Sequence, residues 1–339
     1  MKTSHQILFI TCALASHLIL LSGCSTTGSG ALLSPGTSAP PETTQAPIET
    51  TAPETTVPES SEPEITQPET TESEPTDPTS PTEDTVPPET TQPEILPPQD
   101  TESVYTLAEL NSMDTKLWTY GPGRTSDGKR PHLSLQEQET YQNFAVNFIG
   151  PDNGSLYLTF DAGYENGFTK DILKTLKANN VKAVFFVTLS YCEKNPELVQ
   201  QILDEGHVLG NHSNHHYSMP TLSVADMTDE IMTLHNYVKE HFDYEMKLFR
   251  PPMGEYSQQS LAVTQNLGYE TVHWSFAYRD WLTDQQPERQ EAFQLITNSA
   301  HSGGIYLLHA VSETNAAILG DVIDALREQG YSLDLFSPT

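Results

Sequence analysis

Basic residues are scarce in this sequence, and they are unevenly placed. The 339 residues include 46 Asp and Glu but only 16 Lys and Arg, which gives a formal net charge of -30 at pH 7. No Lys or Arg lies between Lys2 and Lys116. Proteins bind nucleic acids largely through cationic side chains that replace the counterions of the phosphates. The charge balance therefore argues against nucleic acid as a partner.

Cysteine is almost absent as well. The three cysteines are Cys12, Cys24 and Cys192. Because Cys12 lies inside the N-terminal targeting segment and Cys24 at the site where that segment ends, Cys192 would be left without a cysteine partner after processing, and no intramolecular disulfide is expected. No motif of reactive side chains surrounds Cys192, so we interpret it as a small core or surface residue.

Long apolar runs are missing, apart from one near the N-terminus. There, Lys2 precedes an apolar run from Ile7 to Leu21, a pattern that is typical of a secretory signal and too short and too weakly flanked for a membrane span. The run ends in Leu-Ser-Gly-Cys at residues 21–24, which resembles the lipobox of bacterial lipoproteins. This resemblance implies a signal peptide of residues 1–23, lipidation of Cys24 and an extracytoplasmic, membrane-anchored protein. The alternative is an ordinary cleavable signal with an incidental cysteine.

The segment after the signal consists mainly of Pro, Thr, Ser and Glu. The tetrapeptide PETT occurs at residues 41–44, 53–56, 68–71 and 88–91, and residues 25–100 contain 15 acidic residues and no basic one. Such a composition cannot bury enough apolar surface to offset the entropy of ordering. We therefore predict a disordered linker over residues 24–100, which acts as a spacer from the membrane. An adhesive or glycosylated stalk is the alternative.

The composition becomes globular from about Thr101. We predict an N-terminal extension over residues 101–153 that packs on a catalytic domain of residues 154–339. Within that domain, short apolar runs alternate with amphipathic helical segments, as in buried parallel sheets. The apolar runs are Leu156–Phe160, Val181–Leu189, His207–Gly210, Lys247–Arg250, Glu270–Phe276, Gly304–His309 and Ser332–Phe336. The pattern predicts an α/β fold, a distorted or incomplete (β/α) barrel of about seven strands, with an open doubly wound sheet as the alternative.

Polar residues follow the apolar runs at the point where each predicted strand ends. Both candidate architectures place ligands at the carboxyl ends of the strands. Taken singly, each of these residues has a structural explanation, such as a turn residue or a hydrogen-bonded core histidine. Their joint occurrence predicts an active site, and its members are Asp161, His212, His216, Arg250, Asp280, Trp281 and His309.

His212 and His216 are four residues apart. On one helical turn, residues at this spacing point the same way, so both imidazoles could bind one metal ion.

Five short motifs make a resemblance to a known family specific. TFDAGYENG, HSNHH, RPPMG, DW and LLH occur in the order and rough spacing of the motifs of the NodB-homology polysaccharide deacetylases, carbohydrate esterase family 4. The match covers about Ser155 to Phe336. GNHSNHH and GGIYLLHAVSETNA resemble one subset more closely, the muramic-acid deacetylases that lead to the δ-lactam of spore cortex peptidoglycan.

The resemblance implies hydrolytic de-N-acetylation of cell-wall glycan, with N-acetylmuramic acid residues of peptidoglycan as the first candidate substrate. Two alternatives stay open. One is a deacetylase of chitooligosaccharide or acetylxylan, and the other is a non-catalytic glycan-binding lipoprotein. The partners implied are an acetylated glycan and, through the lipid anchor, a membrane; we expect a monomer.

The family's catalytic roles fall on four residues of this sequence. Asp161 resembles the base that takes a proton from the attacking water, and Arg250 resembles the arginine that orients it. His309 matches the general acid, and Asp280 resembles the carboxylate behind that histidine. An amide is a poor electrophile with a poor leaving group, so its hydrolysis needs both a base and an acid.

The resemblance also implies roles in binding. His212 and His216 match the two histidine ligands of a divalent metal ion, with Zn²⁺ the first candidate and Mn²⁺, Co²⁺ or Mg²⁺ the alternatives. Three further residues match positions that surround the acetyl group: Trp281 and Leu308 match the pocket lining, and Met253 matches the position whose backbone N–H holds the oxyanion.

One position departs from the family pattern. Most members have a second Asp after the base, as the third protein ligand of the metal, whereas this sequence has Ala162. Alanine cannot coordinate a metal, so we predict a weakly held ion. Glu165 in the same loop is a candidate substitute ligand, with packing or capping of the turn as the alternative. His215 has no assigned role.

Overall fold

The structure, a computed structural model, describes residues 103–338. The predicted signal peptide, the lipidation site at Cys24 and the whole predicted linker of residues 24–100 lie outside these described residues. Among residues 103–338, no helix is both long and apolar enough to cross a membrane.

A sheet of mainly short parallel strands forms the centre of the fold, and helices pack around it. The strands are β1 (Trp118–Thr119), β2 (Val146–Asn147), β3 (Ser155–Ala162), β4 (Val184–Val187), β5 (Val208–Asn211), β6 (Leu248–Phe249), β7 (Glu255–Tyr256), β8 (Glu270–Val272), β9 (Phe276–Ala277), β10 (Gly304–His309) and β11 (Ser332–Leu333). The helices are α1 (Leu107–Ser112), α2 (His132–Thr140), α3 (Thr169–Ala178), α4 (Leu189–Lys194), α5 (Pro196–Asp204), α6 (Val224–Phe242), α7 (Gln258–Asn266), α8 (Arg289–Asn298) and α9 (Glu313–Glu328).

The sheet is curled into an incomplete barrel. Its strand order is β2-β8-β6-β5-β4-β3-β10-β9, all neighbours are parallel, and β11 pairs with the start of β3. Strands β8 and β9 are close in sequence but lie towards opposite ends of this order. The segment between them crosses the gap, where the Ser275 N–H donates to the Ile305 carbonyl at 2.8 Å. The prediction of a distorted or incomplete (β/α) barrel is confirmed.

Strand β3 is buried along its whole length, and its alternate residues face two different apolar clusters. Leu156, Leu158, Phe160 and Ala162 belong to the larger cluster, into which helices α3 to α9 pack. Tyr157 belongs to the smaller cluster, which fills the inside of the curled sheet. Because side chains alternate along a strand, Asp161 follows Tyr157 and Thr159 on the inner face.

Each predicted strand overlaps an observed one, but the bounds differ. The run Glu270–Phe276 is divided between β8 and β9, and the run Val181–Leu189 contains only four strand residues because Thr188 caps helix α4 by accepting from the Tyr191 N–H. The run Ser332–Phe336 shortens to β11.

The N-terminal segment before residue 154 supplies parts of the fold. Strand β2 pairs with β8, and β1 pairs antiparallel with β7. Leu110 of α1 is buried in the larger apolar cluster, and Tyr120 in the smaller one. This segment therefore packs on the rest of the described chain.

Candidate active site

Asp161 and Arg250 form a buried ion pair at the carboxyl ends of β3 and β6. The Arg250 Nη1 donates to Asp161 Oδ1 at 2.7 Å, and both side chains are buried. Burial alone would raise the pKa of Asp161, but the charge of Arg250, with contributions from His212 and His309, holds it below its ordinary value. Asp161 is therefore ionised at neutral pH, as a base must be.

The guanidinium of Arg250 is fixed from several directions. Its Nε donates to the Val272 carbonyl at 3.0 Å, Nη1 donates to Thr159 Oγ1 at 2.8 Å, and Nη2 donates to the His273 carbonyl at 3.1 Å. The ring of Phe186 lies beneath it, 4.1 Å from the guanidinium carbon. Thus residues of β3, β4 and β8, with His273 after β8, together hold the cation that follows β6.

His309 and Asp280 form a second pair beside the first. His309 ends β10, and its Cα is the register partner of Asp161 on β3. The His309 Nδ1 lies 2.7 Å from Asp280 Oδ1, and the His309 N–H donates to Asp280 Oδ2 at 2.8 Å. Burial would lower the pKa of His309, but the Asp280 carboxylate outweighs it and raises the pKa above 6.5. With Nδ1 bound to Asp280, Nε2 is the ring nitrogen that is left for substrate.

His212 and His216 meet through a loop rather than on a helical turn, so the helical expectation was wrong. The loop follows β5, and both Ser213 (φ 67°) and His216 (φ 62°) adopt left-handed backbone conformations. The two ring centroids are 4.8 Å apart, and His212 Nε2 lies 3.6 Å from Asp161 Oδ2. The loop reaches the same result as a helical turn, because both imidazoles lie beside Asp161.

Glu230 holds this loop from helix α6. Its buried carboxylate accepts from the His215 N–H at 2.8 Å and lies 2.6 Å from His215 Nδ1. The Asn214 N–H donates to the Glu230 carbonyl at 3.0 Å. His215, which the sequence left without a role, is therefore a tether of the loop that carries His212 and His216.

The donor set fits a divalent ion that is held by two imidazoles. The Nδ1 of His212 lies 2.8 Å from the Arg250 carbonyl, so this nitrogen carries the proton and Nε2 is free to coordinate. Desolvation lowers the pKa of His216, and it lowers that of His212 to about 4, which keeps both rings neutral as metal ligands must be. No group of three or more His, Cys, Asp or Glu side chains within residues 103–338 is arranged to hold a metal ion.

Neither Ala162 nor Glu165 adds a ligand. Ala162 is fully buried in the larger apolar cluster, on the face of β3 opposite to Asp161. The Glu165 carboxylate accepts from the Gly167 N–H at 2.6 Å and binds the Thr169 hydroxyl. Glu165 therefore closes its own turn at the start of α3, which was the alternative interpretation of this residue.

An open pocket of about 810 Å³ joins these groups. Its floor contains Asp161, His212, His216 and His309, and its walls include several further side chains: Tyr164, Ser190, Asn214, Met253, Trp274, Trp281 and Leu307. The Trp281 ring lies 5.5 Å from the His309 ring. Met253 has a left-handed backbone (φ 58°), and none of the hydrogen bonds among the described residues uses its N–H, which remains free for an oxyanion.

The prediction that Leu308 lines the pocket was wrong. Leu308 is buried in the larger apolar cluster, and Leu307 lines the pocket in its place. Alternate residues of a strand face opposite sides, so Leu307 and His309 share the inner face of β10 while Leu308 faces the helices. Cys192 is also buried, and burial raises its pKa to about 12, in agreement with its interpretation as a core residue.

Several residues that shape the site were not identified from the sequence. Thr159 was detectable in principle, because it lies two residues before Asp161 on the same face. Glu230 and the pocket residue Ser190 come from helices, and only the packing of those helices brings them to the site.

Known proteins share both the sequence and the fold. Residues 149–272 match the family described as polysaccharide deacetylase. The peptidoglycan-N-acetylmuramic acid deacetylase PdaA of Bacillus subtilis is 35% identical over 227 residues, which are 66% of this chain and 86% of PdaA. The solved structure of PdaA, a family 4 carbohydrate esterase, superposes with a TM-score of 0.63 over 66% of this chain and 96% of its own. A family 4 carbohydrate esterase from Bacillus anthracis is 32% identical, with a TM-score of 0.55 over 66% of this chain and 96% of its own.

Proposed function

This chain belongs to the polysaccharide deacetylase family, and on that premise we propose that it removes the acetyl group from N-acetylmuramic acid residues of peptidoglycan. The support for a muramoyl substrate is the 35% identity to PdaA over 86% of that protein. The support for hydrolysis is the pair of proton-transfer groups in the pocket.

The observation that carries the proposal is the juxtaposition of a base and an acid at one register position. Asp161 and His309 are Cα partners on neighbouring parallel strands. Arg250 lowers the pKa of Asp161, which favours the ionised base, and Asp280 raises the pKa of His309, which favours the protonated acid. A glycan-binding protein needs no such opposed pair, whereas amide hydrolysis needs one group to take a proton and another to give it.

In the proposed reaction, Asp161 accepts a proton from water as the water oxygen attacks the acetamide carbon. The Met253 N–H donates to the oxygen that becomes negative. His309 then gives its Nε2 proton to the sugar nitrogen, the carbon–nitrogen bond breaks, and acetate and a free amine leave. A divalent ion held by His212 and His216 would polarise the carbonyl and lower the pKa of the attacking water.

Release of acetate tests this function and separates the alternatives. We expect purified protein supplied with Zn²⁺ to release acetate from peptide-free muramoyl glycan faster than from chitooligosaccharide or acetylxylan, and Asp161→Asn to release none. Faster release from one of the other glycans would reassign the substrate. Binding of glycan without release, with any of Zn²⁺, Mn²⁺, Co²⁺ or Mg²⁺, would favour a non-catalytic binding protein.

Chelation tests the metal separately. We expect exhaustive chelation to abolish acetate release and re-added Zn²⁺ to restore it, because two imidazoles hold the ion weakly. Activity that survives chelation would refute metal assistance while leaving deacetylation intact.

We also propose that the protein is exported and anchored through lipid on Cys24, with residues 25–100 as a spacer. A flexible chain of 76 residues averages about 50 Å end to end, which would hold the enzyme off the membrane. Cys24→Ser should abolish incorporation of labelled palmitate and move the protein out of the membrane fraction. Membrane association that persists in this variant would contradict the lipid anchor.

A further inference from the structure

The pair formed by Asp280 and His309 contacts a third side chain, Asn315, for which the sequence predicted no role. Asn315 is the third residue of α9, the helix that begins four residues after His309. It is buried, and its N–H donates to Oγ of Ser312, the N-cap of this helix, at 3.0 Å. The first turn of α9 therefore places an amide directly behind Asp280 and His309.

The orientation of this amide follows from its neighbours. The Asn315 Nδ2 donates to Asp280 Oδ2 at 2.6 Å and lies 3.3 Å from the His309 carbonyl. A carboxylate and a carbonyl can only accept, so the NH₂ group must face them. The Asn315 Oδ1 then faces the other way, where it accepts from the hydroxyl of Tyr278.

Asn315 supplies the one hydrogen bond to the Asp280 carboxylate that does not come from His309 itself, among the hydrogen bonds of the described chain. Asp280 is fully buried, with His309 Nδ1 on Oδ1 and with the His309 N–H and Asn315 on Oδ2. Without Asn315, a buried carboxylate would be held only by the histidine that it is meant to hold.

A second amide supports the same arrangement from the backbone side. Gln286 Nε2 donates to the Asp280 carbonyl at 2.8 Å, while Ser312 Oγ donates to Gln286 Oε1 at 2.6 Å. The loop that carries Asp280 and the start of α9 are thus joined twice.

We propose that Asn315 is a positioning residue, which fixes the Asp280 carboxylate, and through it His309, in the geometry for proton donation to the leaving nitrogen. The proposal rests on the proposed acid role of His309. The charged groups that face His309 are Asp280, Asp161 and Arg250, with His216 across the pocket, and none of these can replace the amide behind Asp280.

The test compares two substitutions at this position with a matched control. Asn315→Leu removes the donor at similar volume. Gln259→Leu removes another buried amide, which donates to the Leu110 carbonyl at 2.9 Å and belongs to helix α7. We expect Asn315→Leu to lower kcat about 10- to 100-fold with KM changed less than about threefold, as for lost partners behind functional histidines. We expect Gln259→Leu to keep kcat within about twofold of the wild-type value, although it should lose about as much stability as Asn315→Leu.

Asn315→Asp adds a readout that a merely structural role would not move. The new carboxyl group can donate to Asp280 when protonated, but it repels Asp280 when ionised. We therefore expect the kcat of this variant to rise relative to that of Asn315→Leu at acidic pH and to fall below it at alkaline pH. Parallel pH profiles of the two variants would overturn the proposal, as would a wild-type kcat in Asn315→Leu.

The NMR signal of the His309 Nδ1 proton separates this inference from the proposed function. We expect a downfield resonance in the wild-type protein and in Gln259→Leu, and its loss by exchange in Asn315→Leu, whether or not acetate is released. Wild-type protein that retains this resonance but releases no acetate would refute the proposed function alone. A resonance unchanged in Asn315→Leu would refute the positioning role alone.

Discussion

Replacing Arg250 with methionine should show how much of the stability of this fold depends on one buried ion pair. Arg250→Met keeps the side-chain length and the contact with Phe186, but it leaves Asp161 without its cation. It also leaves the carbonyls of Val272 and His273 without the donors that they have now. Removing one partner of a buried pair costs about 3–5 kcal/mol, because the other charge stays buried and uncompensated.

Urea denaturation followed by tryptophan fluorescence measures this loss. At an m-value of roughly 2–3 kcal/mol/M, the midpoint should fall by about 1–2 M at pH 7. The control is Arg289→Met. Arg289 lies 3.2 Å from Glu313 and both side chains are exposed, so losing this ion pair should lower the unfolding free energy by less than about 1 kcal/mol.

The pH dependence gives the sign of the effect. In the wild-type protein the pKa of Asp161 lies below its ordinary 3.8, so its contribution to stability is present above pH 3.8 and is lost as the pH falls through the lower value. In Arg250→Met burial dominates and raises this pKa, so stability is lost instead as the pH rises through the raised value. The difference in unfolding free energy between the wild-type protein and Arg250→Met should therefore be large at pH 7 and small near pH 4.

A double-mutant cycle provides the refutation. Asp161→Asn alone should also destabilise, because it leaves the buried guanidinium of Arg250 unpaired. The double variant should lose at least about 2 kcal/mol less than the sum of the two single losses. Additive losses, or a gap that is independent of pH, would mean that Arg250 stabilises the fold by packing and not by pairing with Asp161.

Three further outcomes are expected. The pH profile of kcat/KM should be bell-shaped, with an acid limb below pH 4 from Asp161 and an alkaline limb above pH 6.5 from His309. Asp280→Asn should shift the alkaline limb to lower pH, and an alkaline limb that does not move would belong to another group. Ala162→Asp should destabilise the metal-free protein by about 2 kcal/mol or more in thermal unfolding, since it would bury a carboxylate in the apolar cluster on the face of β3 opposite to Asp161; an unchanged Tm would mean that the carboxylate turns out of this cluster. Gly210→Ala should cost about 1–3 kcal/mol in thermal unfolding, because the added methyl would overlap the Phe186 ring beneath Arg250, and an unchanged Tm would show that this ring can move freely.

The strands could be predicted from the sequence because each inner strand is apolar on both faces, and this pattern is a property of the local composition. Helix ends are also set locally, since capping residues such as Ser257 and glycines such as Gly268 act on their own neighbourhood. What failed was any inference that needed the exact face of a residue. Leu308 was placed in the pocket wall because its neighbour His309 belongs there, although adjacent strand residues face opposite sides.

The sequence by itself determined which residues have the chemistry for this site and which strand ends bear them. It supplied Asp161, Arg250, Asp280 and His309, and it showed that Ala162 cannot bind a metal. Only the tertiary structure decided the pairings, because a hydrogen bond between residues 89 positions apart, as in Asp161 and Arg250, depends on strand order and register. It also decided that Ala162 faces the core and that Asn315 lies behind Asp280. Those placements come from the packing of helices on a curled sheet, and no local sequence pattern predicts that packing.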